Sequence, residues 1–256
     1  MTNKLPISVF IIALNEGDRI GMTIESVKDW VDEVIVIDSG SSDDTMAKST
    51  ALGARAIAHA WPGYGLQKRF GEDQCRNRWI LNLDADEVAG STLKAEIMAL
   101  FAKGEPTHPA WKIRIVEILP GRDAPIPLAH EVNAIRLYNK TCGRFSDSTV
   151  HDTVRMQSGT VGQLKAIIEH RSSRGLAHSM DKINRYSAMQ AENLISGKGL
   201  AFPFIRLVTE FPVAFIKAYV IRGYIFGGMQ GFTNAMVYAF SRFIRIAKYL
   251  EFKTRR

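Results

Sequence analysis

The 256-residue sequence predicts an α/β fold, a mainly parallel sheet with helices on both faces. Three observations predict it. Apolar runs alternate with amphipathic stretches four times through the first hundred residues, the order that builds parallel sheets. One run, Val34-Ile35-Val36-Ile37, is four β-branched residues in succession, which suits a strand buried on both faces. The composition, 46% hydrophobic and 23% charged, is that of a globular chain and excludes disordered, collagen-like and low-complexity classes.

The elements follow in order. Ile7–Leu14 reads as the first strand. Ile20, Ile24, Val27 and Trp30 fall at helical spacing and predict a helix over Arg19–Trp30. The Val34–Ile37 strand is followed by a helix over Asp43–Leu52, with Ser41, Ser42 and Asp43 as capping candidates. Ala54–His59 predicts a third strand, Leu66–Gln74 a short helix and Trp79–Leu83 a fourth strand. Ser91–Phe101 is a helix with Leu93, Ile97, Leu100 and Phe101 on one face. Then come a strand over Trp111–Ile118, a Pro/Gly loop over Leu119–Pro127, and strands over Ala134–Tyr138 and Thr160–Ile168. The rest is helical, punctuated by Pro203 and Pro212. The expected organisation is an α/β domain over 1–199, in halves over 1–103 and 104–199, and a helical extension over 200–256.

Cys75 and Cys142 form no CxxC, so neither a disulfide framework nor a cysteine zinc site is expected, which fits a reducing cytosol. Ile7–Leu14 is short and runs into Asn15-Glu16, unlike a secretory leader. The longest uncharged stretch, Gly223–Ser241, carries four glycines, Gln230, Thr233 and Asn234 and is a poor bilayer span.

The acidic residues fall where ligands of such sheets bind, beyond the carboxyl ends of the strands. Glu16 follows the first strand, Asp38 the second, and Asp84 and Asp86 the fourth. Turns favour aspartate in any case, but four carboxylates at one sheet edge point to a ligand crevice. Two apart in an extended segment, Asp84 and Asp86 project to one side and can hold a divalent cation whose shell a diphosphate completes. No GxxxxGK[ST] or GxGxxG follows the first strand, so the crevice is one of carboxylates and not of phosphate-cradling glycines.

These segments also carry a resemblance. Ile7–Glu16, Val36–Thr45, Trp61-Pro-Gly-Tyr-Gly65, Gln67-Lys68, Leu81-Asn-Leu-Asp84-Ala-Asp86-Glu87, Arg136-Leu-Tyr138, Arg144–Asp147, Val150-His151-Asp152 and Lys182–Ser187 together resemble the family 2 glycosyltransferases, the lipopolysaccharide-core-type glucosyltransferases above all. The resemblance spans nearly the whole chain. It implies a GT-A fold and transfer of a hexose from a nucleotide sugar, a UDP-sugar first, with inversion. It places Glu16 and Asp38 on the uracil or ribose, Lys68 near the nucleotide, Asp84 on the ribose, Asp86 on Mg2+ or Mn2+, and Asp152 as the base. The chain departs from the pattern at Asp152, where Glu is usual, and at Arg69, where Asn is usual. The loop Leu119–Glu131 lacks a Gly-Gly-Trp stretch.

Such a transfer requires a neutralised leaving diphosphate and an acceptor hydroxyl that loses its proton. One base and no enzyme nucleophile give an inverted product. Beside these roles stand plainer ones: Asp152 as a loop aspartate, His151 as an orienting or packed side chain, and Lys68-Arg69 as a solvated helix turn. A polyprenyl phosphate acceptor and a non-catalytic nucleotide-sugar or membrane-binding module are the alternative functions.

The formal charge of +7 is unevenly placed. Residues 1–199 carry 24 basic and 24 acidic side chains, residues 200–256 nine and two. Over Phe240–Phe252, Phe240, Phe243, Ile244, Ala247 and Leu250 share a helical face beside a stripe of Arg242, Arg245 and Lys248, with Arg206, Lys217 and Arg222 upstream. A basic amphipathic helix predicts peripheral contact with an anionic membrane surface. The expected place is the cytoplasmic face of the inner membrane and the expected acceptor a lipid-linked glycan. No nucleic-acid motif accompanies the charge, and no nucleic-acid partner is expected.

Overall fold

The computed structural model describes residues 4–148, 152–197 and 199–255. They form two compact units. The first comprises the residues up to Val116 together with Glu131–Arg171, the second Glu117–His130 together with the residues from Ser172 onward.

The first unit is an eight-stranded sheet. Its elements are β1 (Leu5–Ala13), α1 (Ile20–Val27), β2 (Val31–Asp38), α2 (Thr45–Ala51), β3 (Arg55–Ala58), α3 (Tyr64–Gln74), β4 (Trp79–Asp84), β5 (Glu87–Val88), α4 (Ser91–Phe101), β6 (Ala110–Glu117), β7 (Glu131–Asn139), β8 (Gly143–Phe145), β9 (Val154–Met156) and β10 (Val161–His170). The strand order is β3-β2-β1-β4-β7-β6-β10-β5, while β8 and β9 form a small hairpin. The nucleotide-side half is parallel: Ile11 lies opposite Val36 of β2 and Leu83 of β4. Beyond β4 the pairings of β7 with β4 and β6, and of β5 with β10, are antiparallel.

Period-two alternation along β1 divides the core between the two faces of the sheet. Ile7, Val9 and Ile11 join Ile24, Val27, Leu81, Leu93 and Ile97 on one face. Phe10 joins Ile35, Ile37, Ile80, Tyr138 and Phe145 on the other. The Val34–Ile37 run is buried throughout, as expected of a strand covered on both sides. Both cysteines are free thiols.

Three differences from the sequence reading affect the site. Helix α2 starts at Thr45, because the Asp43 carboxylate accepts from the backbone N–H of Gly17 (3.0 Å) and of Thr45 (3.0 Å) instead of opening the helix itself. Strand β4 ends at Asp84, and residues 85–86 form a turn into the two-residue β5. Strand β10 runs on to His170, which pairs with Glu87. Two-residue β5 and the three-residue strands of the hairpin are too short for periodicity to announce.

The second unit holds α5 (Leu176–Ser196), α6 (Pro203–Ile216), a π turn over Lys217–Ile221, a 3-10 turn over Tyr224–Gly227 and α7 (Gly228–Thr254). The division falls after Arg171, so α5 belongs with the C-terminal helices and not with the sheet. Leu119, Ile126, Ala218, Tyr224 and Ala235 form its buried centre, and the Tyr224 hydroxyl donates to Glu117 Oε2 at 2.9 Å. A Cβ on Gly231 would come within 1.9 Å of the Tyr224 carbonyl oxygen, so only glycine permits this close approach.

The expected basic stripe on α7 is not free. Arg242 Nε lies 3.0 Å and Arg245 Nη2 3.5 Å from Glu210 Oε1 on α6. Lys248 Nζ donates to the Asn184 carbonyl (2.5 Å) and Oδ1 (2.7 Å) on α5. Burial and the adjacent Arg242 guanidinium hold Arg245 below its usual pKa, against the pull of Glu210. Arg242 and Arg245 thus join α7 to α6 through Glu210, and Lys248 joins it to α5. Among the described residues no helix is long and apolar enough to cross a membrane.

Candidate active site

The carboxyl ends of β1, β2 and β4 bring the predicted residues to one edge of the sheet. The loops after β1 and β2 are tied together. Asn15, in the left-handed region at φ 55°, accepts from the Ser42 N–H (2.8 Å), and its own N–H donates to Ser41 Oγ (2.7 Å). The Glu16 N–H donates to Thr45 Oγ1 at 2.8 Å. Buried Asp38 accepts from the N–H groups of Gly40 (2.9 Å) and Ser41 (2.8 Å) through Oδ1. Its Oδ2 is buried with no hydrogen-bond partner among the described residues. An orphaned buried carboxylate oxygen is costly unless a ligand donates to it. Beside it a hollow of about 380 Å³ is lined by Leu14, Glu16, Ser39, Trp61 and Tyr64 among others. Trp61 and Tyr64 stand edge to face there, ring centroids 4.8 Å apart, both nearly half exposed. Two larger hollows, of about 670 and 610 Å³, lie at the opposite ends of the strands, around Lys4 and Arg76, away from this cluster.

Helix α3 contributes Gln67 and Lys68, and neither belongs to a solvated turn: both are buried. Gln67 Nε2 donates to Ser39 Oγ (3.0 Å), and its Oε1 faces His59 Nδ1 at 2.7 Å. Arg69, where the resemblance leads one to expect asparagine, donates through Nη1 to the Phe145 carbonyl at 2.8 Å. Lys68 Nζ lies 2.9 Å from Asp84 Oδ1 and 2.7 Å from Asp152 Oδ2, bridging the two carboxylates. Asp152 keeps 44% of its side-chain surface exposed. His151 lies outside the described residues.

Asp84 and Asp86 enter different clusters, because the turn at 85–86 breaks the alternation that would have aligned them. Arg136 Nη2 reaches Asp84 Oδ2 (3.1 Å) and Glu87 Oε1 (2.7 Å), and Nη1 donates to Asn82 Oδ1 (2.9 Å). Burial pushes the Asp84 carboxyl up, but the charges of Lys68 and Arg136 overcome it and hold it well below the usual carboxylate range. Asp86 Oδ2 lies 3.2 Å from both Arg19 Nη1 and His170 Nε2. Arg19 also forks onto Glu16, with Nη2 3.1 Å from Oε1. Burial raises Asp86, and the His170 hydrogen bond and the neighbouring positive charges more than reverse it. Burial lowers His170, and Asp86 more than reverses that shift as well.

Arg19, Glu87, Arg136 and His170 are the members of the site whose roles the sequence reading missed. A positional signal existed for His170, two residues beyond the expected strand end. Arg136 and Glu87 stood in motifs of the resemblance but without a role, and for Arg19 there was no signal, since an arginine in a helix is ordinarily solvated. Among the described residues no group of three or more acidic, histidine or cysteine side chains is arranged to hold a metal ion. Asp86 and His170 form a two-donor set, carboxylate and imidazole, of a kind that fits a divalent cation sharing the oxygens of a bound diphosphate.

The family model described as glycosyl transferase family 2 matches residues 8–158. An uncharacterized glycosyltransferase of Rickettsia typhi is 39% identical over 254 residues, covering 96% of this chain and 87% of its own length. The lipopolysaccharide core biosynthesis glycosyltransferase LpsC of Rhizobium meliloti is 30% identical, over 98% of this chain and 94% of its own. Among solved structures, S. aureus TarS 1-349 in complex with UDP-GlcNAc superposes with a TM-score of 0.50 at 12% identity, covering 98% of this chain and 93% of that one. That likeness is one of fold, and it agrees with the mixed sheet flanked by helices of the GT-A arrangement. With the family match spanning more than half of its length and relatives aligned nearly end to end, the chain belongs to glycosyltransferase family 2, and it is a GT-A glycosyltransferase that uses a nucleotide sugar.

Proposed function

We propose that the chain is a metal-dependent inverting hexosyltransferase that moves a hexose from a UDP-sugar to a lipid-linked glycan of the lipopolysaccharide-core type, working peripherally at the cytoplasmic face of the inner membrane. The observation that carries the catalytic part is the Lys68 bridge: one buried ammonium joins Asp84, on the donor side, to half-exposed Asp152. Asp152 is the base. It takes the acceptor hydroxyl proton as that oxygen bonds to the anomeric carbon, and the bond from that carbon to the diphosphate breaks, the electron pair leaving with the diphosphate. Lys68, 2.7 Å from its Oδ2, holds Asp152 in place until the acceptor arrives.

Glu16 and Asp38 bind the uracil or ribose, the orphaned Asp38 Oδ2 taking a hydroxyl or N–H of the ligand, and Asp84 binds the ribose. Asp86 and His170 would hold Mg2+ or Mn2+, which supplies neutralisation of the diphosphate charge when bound. The name of LpsC supports the acceptor class, and the excess of basic side chains over residues 200–256 supports the membrane. The test is donor hydrolysis by the purified chain with UDP-, GDP- and dTDP-hexoses, with and without Mn2+. Turnover of a UDP-hexose only with the cation is expected. Equal turnover in EDTA would overturn the metal reading, and turnover of another nucleotide alone the choice of UDP.

A further inference from the structure

The second unit leaves a long apolar surface uncovered by its own packing, the outer face of α6 and the turn that continues it. Phe204, Ile205, Val208, Val213, Ile216 and Val220 are 74%, 63%, 76%, 63%, 56% and 54% exposed. At 3.6 residues per turn they cover roughly half the helix circumference. Within that arc Thr209 is polar and exposed and Phe215 and Tyr219 turn onto the buried centre of the unit, while Glu210, Ala214 and Ala218 point the other way. A contiguous exposed apolar face of this size marks an interaction surface.

The charges beside it select the occupant. Exposed Arg206 and Lys217 lie along one edge of the arc. Residues 200–256 hold only two acidic side chains, Glu210 and Glu251, and Glu210 is already engaged by Arg242 and Arg245. The face is therefore apolar in the middle and cationic at its margin, and the one carboxylate of α6 is engaged elsewhere. A second copy of the chain would bring a like-charged margin against this one. An anionic lipid surface brings the opposite charge, together with acyl chains for the apolar residues.

We propose that α6 lies in the interfacial layer of an anionic bilayer, with Phe204, Val208 and Ile216 inserted among the acyl chains and Arg206 and Lys217 at the headgroups. This deepens the membrane reading above and rests on it, but assigns the contact to α6 in place of the Arg242, Arg245 and Lys248 stripe, whose groups join α7 to its neighbours.

The experiment is co-sedimentation of the full chain with vesicles of phosphatidylcholine alone and of phosphatidylcholine with phosphatidylglycerol. The wild type is compared with Phe204→Ser/Val208→Ser/Ile216→Ser, which changes no charge, and with Arg242→Glu/Arg245→Glu/Lys248→Glu. The serine variant should lose affinity for the mixed vesicles by roughly a hundredfold or more, since three large side chains no longer leave water. Its circular dichroism should be unchanged, because all three positions are exposed, and donor hydrolysis should equal that of the wild type. Wild-type binding retained by the serine variant and lost by the glutamate variant would overturn the α6 assignment and leave the membrane reading standing. No binding of the wild type to either vesicle would overturn both, and dimerisation abolished by the serine variant would then give the face to a second copy.

Discussion

Replacing Lys68 with methionine keeps much of the side-chain volume and removes the ammonium from between Asp84 and Asp152. Lys68 is 2% exposed and stands 2.9 and 2.7 Å from the two carboxylates. Stripping one partner from a fully buried ion pair typically costs about 3–5 kcal/mol, because the remaining charge is left uncompensated. Here both survivors have recourse. Asp84 retains Arg136 at 3.1 Å, and Asp152, 44% exposed, can rehydrate. The cost should therefore fall to about 2 kcal/mol, roughly 4–8 °C in melting temperature for a chain of this size. Differential scanning calorimetry reads the first effect and steady-state donor turnover the second. With Asp152 no longer held, turnover should fall by about a hundredfold. In the double variant Lys68→Met/Asp152→Asn the losses should be less than additive, since the two side chains share one interaction. An unchanged melting temperature together with unchanged turnover would refute the reasoning, because the bridge would then organise nothing.

Four further substitutions test the other parts. Asp86→Ala removes a carboxylate beside His170 and should lower turnover by about 10²–10³ with the melt preserved; His170→Ala should raise the Mn2+ concentration needed for half-maximal turnover by about tenfold or more. Full activity of either variant at limiting Mn2+ would dismiss the pair as metal ligands. Asp152→Asn keeps the shape and abolishes proton acceptance, so kcat should drop by about 10²–10⁴ with donor KM little changed; an unchanged kcat would favour a phosphate acceptor, which needs little help from a base. Gly71→Ala places a Cβ 2.7 Å from Phe10 Cδ2 and 3.2 Å from Ile37 Cγ1, an overpacking cost of about 1–3 kcal/mol readable as a shift in the urea midpoint.

The nucleotide-side half of the first unit was legible because its signals are local. Val34–Ile37 is β-branched over a length that only a doubly covered strand suits, and Glu16, Asp38 and Asp84 stand where apolar runs stop. A strand that ends in a carboxylate also states which edge of a parallel sheet that carboxylate occupies. The same reasoning failed at Asp86. It extended strand geometry two residues beyond Asp84, whereas the backbone turns there and sends the two carboxylates to different partners. On α7, helical spacing placed Arg242, Arg245 and Lys248 on a helix but carried no information about the Glu210 and Asn184 groups that engage them.

By itself, then, the amino-acid order determined the strand–helix alternation, the sheet edge that gathers the acidic side chains, the uneven charge of the last fifth of the chain and, through the combined motifs, the family. Periodicity and residue type act over a few residues and need no knowledge of what packs where. Only the tertiary structure decided which cation meets which carboxylate. Lys68 finds Asp152 across 84 residues of chain and Arg136 finds Asp84 across 52, and His170 arrives beside Asp86 because β10 pairs with β5 in that register. It also decided which face of the C-terminal helices stays uncovered. Burial of a side chain is a property of its neighbours, and on α6 those neighbours cover Glu210 and Ala214 while Val208 and Ile216 are left to the surroundings.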